Sequence, residues 1–281
     1  MTLARSARVK IVHLGFIGTG HMGSMLIREF IETGAAAPAD IIASNRTREK
    51  AELLAGDFGI RLGSNRDAAA QSDVVFLCVK PLDVSGVLAE LRDELTPDKL
   101  LISVAVDFNL DEIASISRAR ATRVIPSICS ESLKGVTLVS FGGNTTDSDR
   151  ALIHSLFRAI GHPIEVEETD LEILADLTSS APAYISAIMR ELVLAATRKG
   201  VDAYLAERLA KETLEGTSEL LAKESFDSLI TRVATKGGIT EEGLKAIRKH
   251  APAMFDELLA STEAKHELIR KKVQAQEDFR E

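Results

Sequence analysis

Residues Gly18-Thr19-Gly20-His21-Met22-Gly23 set three glycines at the spacing G-x-G-x-x-G, directly after an apolar run from Leu14 to Ile17. Between a strand and a helix, each glycine meets a separate need. Gly18 permits a tight turn, Gly20 lets a pyrophosphate approach the backbone, and Gly23 lets the helix pack close to the strand. A helix opening near Met22 would offer unpaired N–H groups and the positive end of its dipole to phosphates. The expected chemistry is dinucleotide binding. His21 lies inside this loop, either beside the phosphates or as a plain loop residue.

A second signal selects the dinucleotide. The apolar run Asp40–Ser44 ends in Ser44-Asn45-Arg46-Thr47. An NAD site usually places Asp or Glu at that end to hold the ribose 2′-hydroxyl. Here the nearby acid, Asp40, is at the opposite end. The Arg46 guanidinium, among two hydroxyls and an amide, suits a 2′-phosphate. NADP is the expected cofactor and NAD the second candidate. The competing account makes Thr47 a helix cap and Arg46 a solvated charge.

Other chemistries find no residues to carry them. The six histidines share no i, i+4 spacing, and neither G-x-S-x-G nor H-E-x-x-H occurs, so no metal site is expected. Cys78 and Cys129 form no C-x-x-C pair, which points to a reducing compartment. A net charge of −8 and 4% aromatic residues argue against a nucleic-acid partner. The uncharged stretch from Leu177 to Met189 is too short to cross a bilayer. Arg5, Arg8 and Lys10 precede an apolar run that His13 interrupts and the glycine loop ends, unlike a signal peptide. The expectation is a cytoplasmic chain without a membrane partner.

The elements that must position these residues follow from periodicity. A length of 281 residues suggests two domains. Up to residue 167, apolar runs alternate with amphipathic segments. The runs are Val12–Ile17, Asp40–Ser44, Val74–Val79, Leu100–Val106, Thr122–Ile125, Val136–Phe141 and Ile164–Glu167. Rich in Val and Ile without strict alternation, they read as strands covered on both faces, in a mostly parallel sheet built of βαβ units. From residue 168 the pattern is helical throughout. Asp170–Lys199 reads as one long helix that Pro182 should kink or locally loosen, Gly200 closes it, and Asp202 opens the next, to about Glu224. The expected architecture is α/β, a doubly wound dinucleotide-binding domain over 1–167 and an all-helical domain over 168–281. The helices carry more apolar stripe than one layer can bury, so a homodimer or higher homo-oligomer is expected.

Six blocks in order then resemble the pyrroline-5-carboxylate reductase family across nearly the whole chain. They are Gly15 to Gly23, Asn45-Arg46-Thr47, Val79-Lys80-Pro81, Arg123-Val124-Ile125-Pro126-Ser127, Ala181-Pro182-Ala183-Tyr184 and Gly237-Gly238-Ile239-Thr240. The resemblance implies an N-terminal Rossmann-type domain, a C-terminal dimerisation domain, and reduction of 1-pyrroline-5-carboxylate to L-proline with NAD(P)H. It implies cofactor contacts from Ile17, Gly18, Gly20, His21, Met22, Ser44, Asn45, Arg46, Thr47, Val79, Lys80, Pro81 and Ala105. Substrate contacts would come from Ser180, Glu224, Lys236, Gly237, Gly238 and Ile239, with Thr240 as the catalytic group.

The departures matter as well. Ser179, Ser180 and Ala181 stand where the family has Gly-Ser-Gly, and Lys236 and Ile239 alter its Ser-Pro-Gly-Gly-Thr-Thr block. Ile125-Pro126-Ser127 replaces the family's Met-Pro-Asn, and the Lys236-Gly237-Gly238 and Ile125-Pro126-Ser127 versions resemble a divergent branch that includes a late-competence reductase-like member in bacilli. Two glycines before Thr240-Glu241-Glu242 would leave amides free for a carboxylate, with the Thr240 hydroxyl near the imine nitrogen. The plainer account makes Thr240 an N-cap and the two acids partners of the dipole. Lys80, where a strand ends, acts through its backbone or as a proton donor. Between Asp170 and Arg198 no lysine occurs, which excludes the hydroxyacid dehydrogenases of similar build. The expected function is an NADP-preferring reductase of a cyclic imino acid. The alternatives are a C=N reductase of altered substrate and a dinucleotide-binding paralogue with a regulatory role.

Overall fold

A computed structural model describes residues 12–278 and divides the chain into two units. One holds the residues up to Ser180 together with those from Glu263 on; the other is Ala181–Thr262.

The first unit is built on eight strands: β1 (Leu14–Ile17), β2 (Ile41–Ser44), β3 (Arg61–Leu62), β4 (Val74–Leu77), β5 (Leu100–Ser103), β6 (Arg120–Ile125), β7 (Gly135–Phe141) and β8 (Gly161–Glu165). They form one sheet in the order β3-β2-β1-β4-β5-β6-β7-β8, parallel except between β6 and β7. Helices α1 (His21–Glu32), α2 (Arg48–Phe58), α3 (Asn65–Ala70), α4 (Pro81–Glu90), α5 (Leu110–Ile116), α6 (Asp147–Arg158) and α7 (Leu171–Ala175) complete it. The mostly parallel, doubly wound sheet agrees with the expectation.

Why the strand sequences do not alternate is visible in the packing. Leu14, Phe16, Val74, Phe76, Leu100 and Ile102 enter one core, while Ile17, Val75, Leu77 and Leu101 enter another on the opposite face. Both faces are covered, so apolar residues stand at successive positions of these strands. Phe16 stacks on Phe76 with ring centroids 4.5 Å apart, and Phe157 of α6 meets Phe30 of α1 edge-on at 5.6 Å. Each buried aromatic removes a large apolar area from water.

Beyond Ser180 the second unit is helical: α8 (Ala181–Arg198), α9 (Ala203–Leu221), α10 (Phe226–Val233) and α11, which begins at Ile239 and runs to Asp278. Asp202 caps α9 by accepting the Leu205 N–H at 2.9 Å. The helix expected over Asp170–Lys199 runs without interruption from Leu171 to Arg198, and the local loosening expected near Pro182 is present. Asp176–Ser180 forms a π-helical turn between α7 and α8. Pro182 lacks an N–H and crowds the carbonyl four residues back, so the ladder loosens just upstream of it. Thr178 and Ser179 bond back to the carbonyls of Leu174 and Ala175.

Candidate active site

The strand order reverses at β1, which pairs with β2 on one side and β4 on the other. Ligands bind at such switch points, outside the carboxyl ends of the strands. The register aligns Ile17 with Ser44 and Leu77, so Gly18, Asn45 and Cys78 leave the sheet at one edge. Gly18 N–H donates to Ser44 O and Cys78 N–H to Ile17 O, both at 2.8 Å.

Each glycine of the loop meets its own constraint. Gly18 has φ +99°, and a Cβ there would lie 2.5 Å from Cys78 O. A Cβ on Gly23 would lie 2.1 Å from Gly18 O. Nothing of the protein lies within 4 Å of a Cβ on Gly20, the N-cap of α1, which carries no side-chain cap. The open space at Gly20 and the first amides of α1 suit a pyrophosphate. Beside them the Thr19 hydroxyl oxygen is buried without a hydrogen-bond partner, a polar atom that a ligand oxygen would satisfy. Thr19 N–H itself donates to Asn45 Oδ1 at 3.0 Å, holding the loop against the end of β2.

A cleft of about 750 Å³ opens here. Of the expected cofactor set, Ile17, Gly18, Gly20, Ser44, Asn45, Arg46, Thr47, Val79 and Lys80 line it. His21 is exposed as the first residue of α1, Met22 packs against the first core, and Pro81 opens α4. Ala105, 3% exposed in the loop after β5, has its carbonyl oxygen held by the Arg123 guanidinium at 3.5 Å. Lys50, Asn65, Asp83 and Glu90 also line the cleft and escaped the sequence reading. Lys50 stands in the first turn of α2, directly after the Ser44–Thr47 segment.

The Arg46 side chain is 85% exposed, with Nη1 3.6 Å from Asp83 Oδ1. At this distance and exposure the pair is weak and leaves the guanidinium free for a stronger anion. Ser44 Oγ donates to Asn65 Oδ1 at 2.6 Å, and Asn65 Nδ2 donates to Glu90 at 2.9 Å. Thr47 stands at the N-cap of α2 but makes no side-chain cap bond. Burial pushes the Cys78 thiol up to about 12.

Of the other candidate residues, Glu224 and Lys236 to Thr240 belong to the helical unit and Ser180 to the first. Lys236 and Gly237 form the turn before α11, with Gly237 at φ +74°. Two expectations are corrected here. Gly237 N–H donates to Glu241 Oε2 at 2.7 Å and Gly238 N–H to Thr235 O at 2.9 Å, so neither glycine amide is free for a ligand. Because α11 starts at Ile239, Thr240 is its second residue rather than its N-cap. Ile239 is 94% exposed. Glu224 follows α9 and is engaged by Arg232 at 2.5 Å and by the Ser228 hydroxyl at 2.8 Å. Ser180 ends the π-helical turn.

Comparison with known proteins covers both units. A family model described as NADP oxidoreductase coenzyme F420-dependent matches residues 13–107, and the pyrroline-5-carboxylate reductase dimerisation model matches residues 168–268. ComE operon protein 4 of Bacillus subtilis is 34% identical, over 90% of this chain and 95% of that protein. Pyrroline-5-carboxylate reductase 3 of the same organism is 30% identical, over 92% of this chain and 97% of its own. The solved pyrroline-5-carboxylate reductase of Coxiella burnetii superposes with a TM-score of 0.84 at 29% identity, covering 92% and 98% of the two chains. Among the described residues no helix is long and apolar enough to cross a membrane.

Proposed function

The chain belongs to the pyrroline-5-carboxylate reductase family, and on that premise we propose that it is an NADP-preferring reductase of a cyclic imino acid, 1-pyrroline-5-carboxylate being the substrate that membership favours. The observation that carries this reading is the cleft at the β1 switch point, where the open Gly20 loop meets Arg46 and Lys50 at the end of β2. Bound there, NADPH supplies the hydride. The first amides of α1 hold the pyrophosphate, and the two cations hold the 2′-phosphate.

In the helical unit, with both glycine amides bonded internally, the exposed Lys236 ammonium and the first-turn amides of α11 are the groups left for the substrate carboxylate. The Thr240 hydroxyl donates to the imine nitrogen and so favours the carbon that accepts hydride. No lysine base is needed, because reduction adds a proton at the imine nitrogen rather than removing one, and water supplies that proton through the Thr240 hydroxyl as hydride reaches the carbon. We further assign residues 1–167 to cofactor binding and 168–281 to substrate binding and self-association.

The assay is NADPH oxidation with added 1-pyrroline-5-carboxylate, run beside NADPH binding. Binding with substrate-dependent oxidation is the expected result. A second reading, a dinucleotide-binding paralogue without catalysis, draws on the 34% identity to ComE operon protein 4 and on Lys236 and Ile239 in the turn. It predicts binding without oxidation.

A further inference from the structure

Away from the cofactor cleft, three side chains distant in sequence converge within the first unit. Asp107 lies in the loop after β5, Glu172 on α7 and His266 on α11, with ligand-capable atoms all within 4.8 Å of one another. We propose that Asp107, Glu172 and His266 form a site for a first-row divalent metal ion that staples the last turns of α11 onto this unit.

The donor set fits. One imidazole and two carboxylates suit zinc, cobalt or nickel better than calcium or magnesium, which take oxygen donors alone. Water would complete the coordination, since Glu172 and His266 are only partly buried. The Asp107 side chain is only 4% exposed, and the hydrogen bond it makes is to His266 Nδ1 at 2.6 Å. A carboxylate this buried calls for a compensating cation. Arg270, four residues after His266, is committed to Glu172, with Nη1 2.7 Å from each carboxylate oxygen, and Arg123 to Glu168 and to the carbonyls of Ala105 and Val106.

The donors are also held in place. Ile269 packs against the second core and Val273, 2% exposed, enters it, on the same stretch of helix as His266 and Arg270. An ion would therefore find two of its three donors fixed by packing, which lowers the ordering cost of binding.

Cobalt gives a direct readout. Tag-free chain stripped with a chelator is titrated with Co2+, following visible d–d absorption and melting temperature, then with Zn2+ in competition. The expected result is one ion per chain, with the melting temperature rising as metal is added. His266→Gln should weaken affinity by more than about 100-fold. Arg270→Gln should tighten it several-fold, because it removes the cation that competes for Glu172. Glu172→Gln, partly exposed and equal in volume, gives the same reading as His266→Gln should that variant not fold. A wild-type chain with no saturable Co2+ binding, or His266→Gln and Glu172→Gln variants that bind as wild type, would overturn the proposal.

Discussion

The cofactor-binding unit and the helical unit differ in where their apolar side chains end. In the first, three clusters bury strand and helix residues almost completely, down to the last turns of α11. In the second, among its described residues, the one buried apolar side chain is Ala206, and Leu192, Leu209, Tyr204 and Phe226 are more than half exposed. A sheet covered on both faces closes its own core. A few amphipathic helices do not, and their stripes await a partner surface. That is the physical content of a dimerisation match over residues 168–268. One unit is read from its own contacts, the other from what it leaves uncovered.

The largest effect should come from breaking that uncovered face. Each buried leucine contributes about 1.5–3 kcal/mol, and a change on the face acts on both copies of a homodimer. Leu192→Glu combined with Leu209→Glu should convert the wild-type oligomer to a monomer in sedimentation velocity. A double variant that sediments like wild type would show that these helices are not the interface.

Within the cofactor unit, two glycines three residues apart should fail in different ways. Gly23→Ala forces a Cβ to 2.1 Å from Gly18 O and should cost about 1–3 kcal/mol, read as a lower melting temperature. Gly20→Ala meets no protein atom within 4 Å and should melt normally, yet lose NADPH affinity because its methyl stands in the ligand's space. Equal melting losses in both variants would contradict the assigned pyrophosphate position.

Arg46→Ala should weaken NADPH far more than NADH, since a charge-assisted hydrogen bond contributes about 1.5–3 kcal/mol, or roughly 10- to 150-fold in affinity. Titration of both cofactors decides it, and an equal loss for the two would mean Arg46 does not read the 2′-phosphate. Lys50→Ala should add a smaller loss in the same direction.

The smallest effect is a pH dependence in the cofactor unit. Burial opposes ionisation of Asp149, yet bonds from Arg120 at 2.7 and 3.0 Å and from Thr146 outweigh it and hold the carboxyl below its ordinary 3.8. A lowered folded-state pKa contributes stability that is present above the unfolded value and lost as pH falls through the folded one. Asp149→Asn should thus lower the melting temperature at pH 7 and flatten its decline in strong acid, and parallel melting curves would refute this.

How much was legible follows the same division. The glycine loop, the end of β2 and the apolar strands could be read because short-range sequence dictates them. Strand β3 could not: it has two residues, Arg61 and Leu62, both exposed, and so carries no periodicity. Helix α3 left a signal that was overlooked, the Ser64-x-x-Asp67 capping box that the structure forms. Asp83 and Glu90 reach the cleft from α4, and only the fold brings that helix beside β2. The π-helical turn and the internally bonded amides of Gly237 and Gly238 depend on geometry of a few ångströms, which residue types alone do not specify.

In the proposed reaction Thr240 does chemistry on an imine. Because Thr240 is the second residue of α11 and not its cap, Thr240→Val keeps the side-chain shape, removes the hydroxyl and costs no cap. Steady-state reduction of 1-pyrroline-5-carboxylate by this variant, measured beside its NADPH affinity and melting temperature, is the most direct test. Turnover should fall by roughly 5- to 150-fold, the loss of one donor at about 1–3 kcal/mol, with cofactor affinity and melting temperature unchanged. Full turnover by a variant that melts like wild type would contradict it.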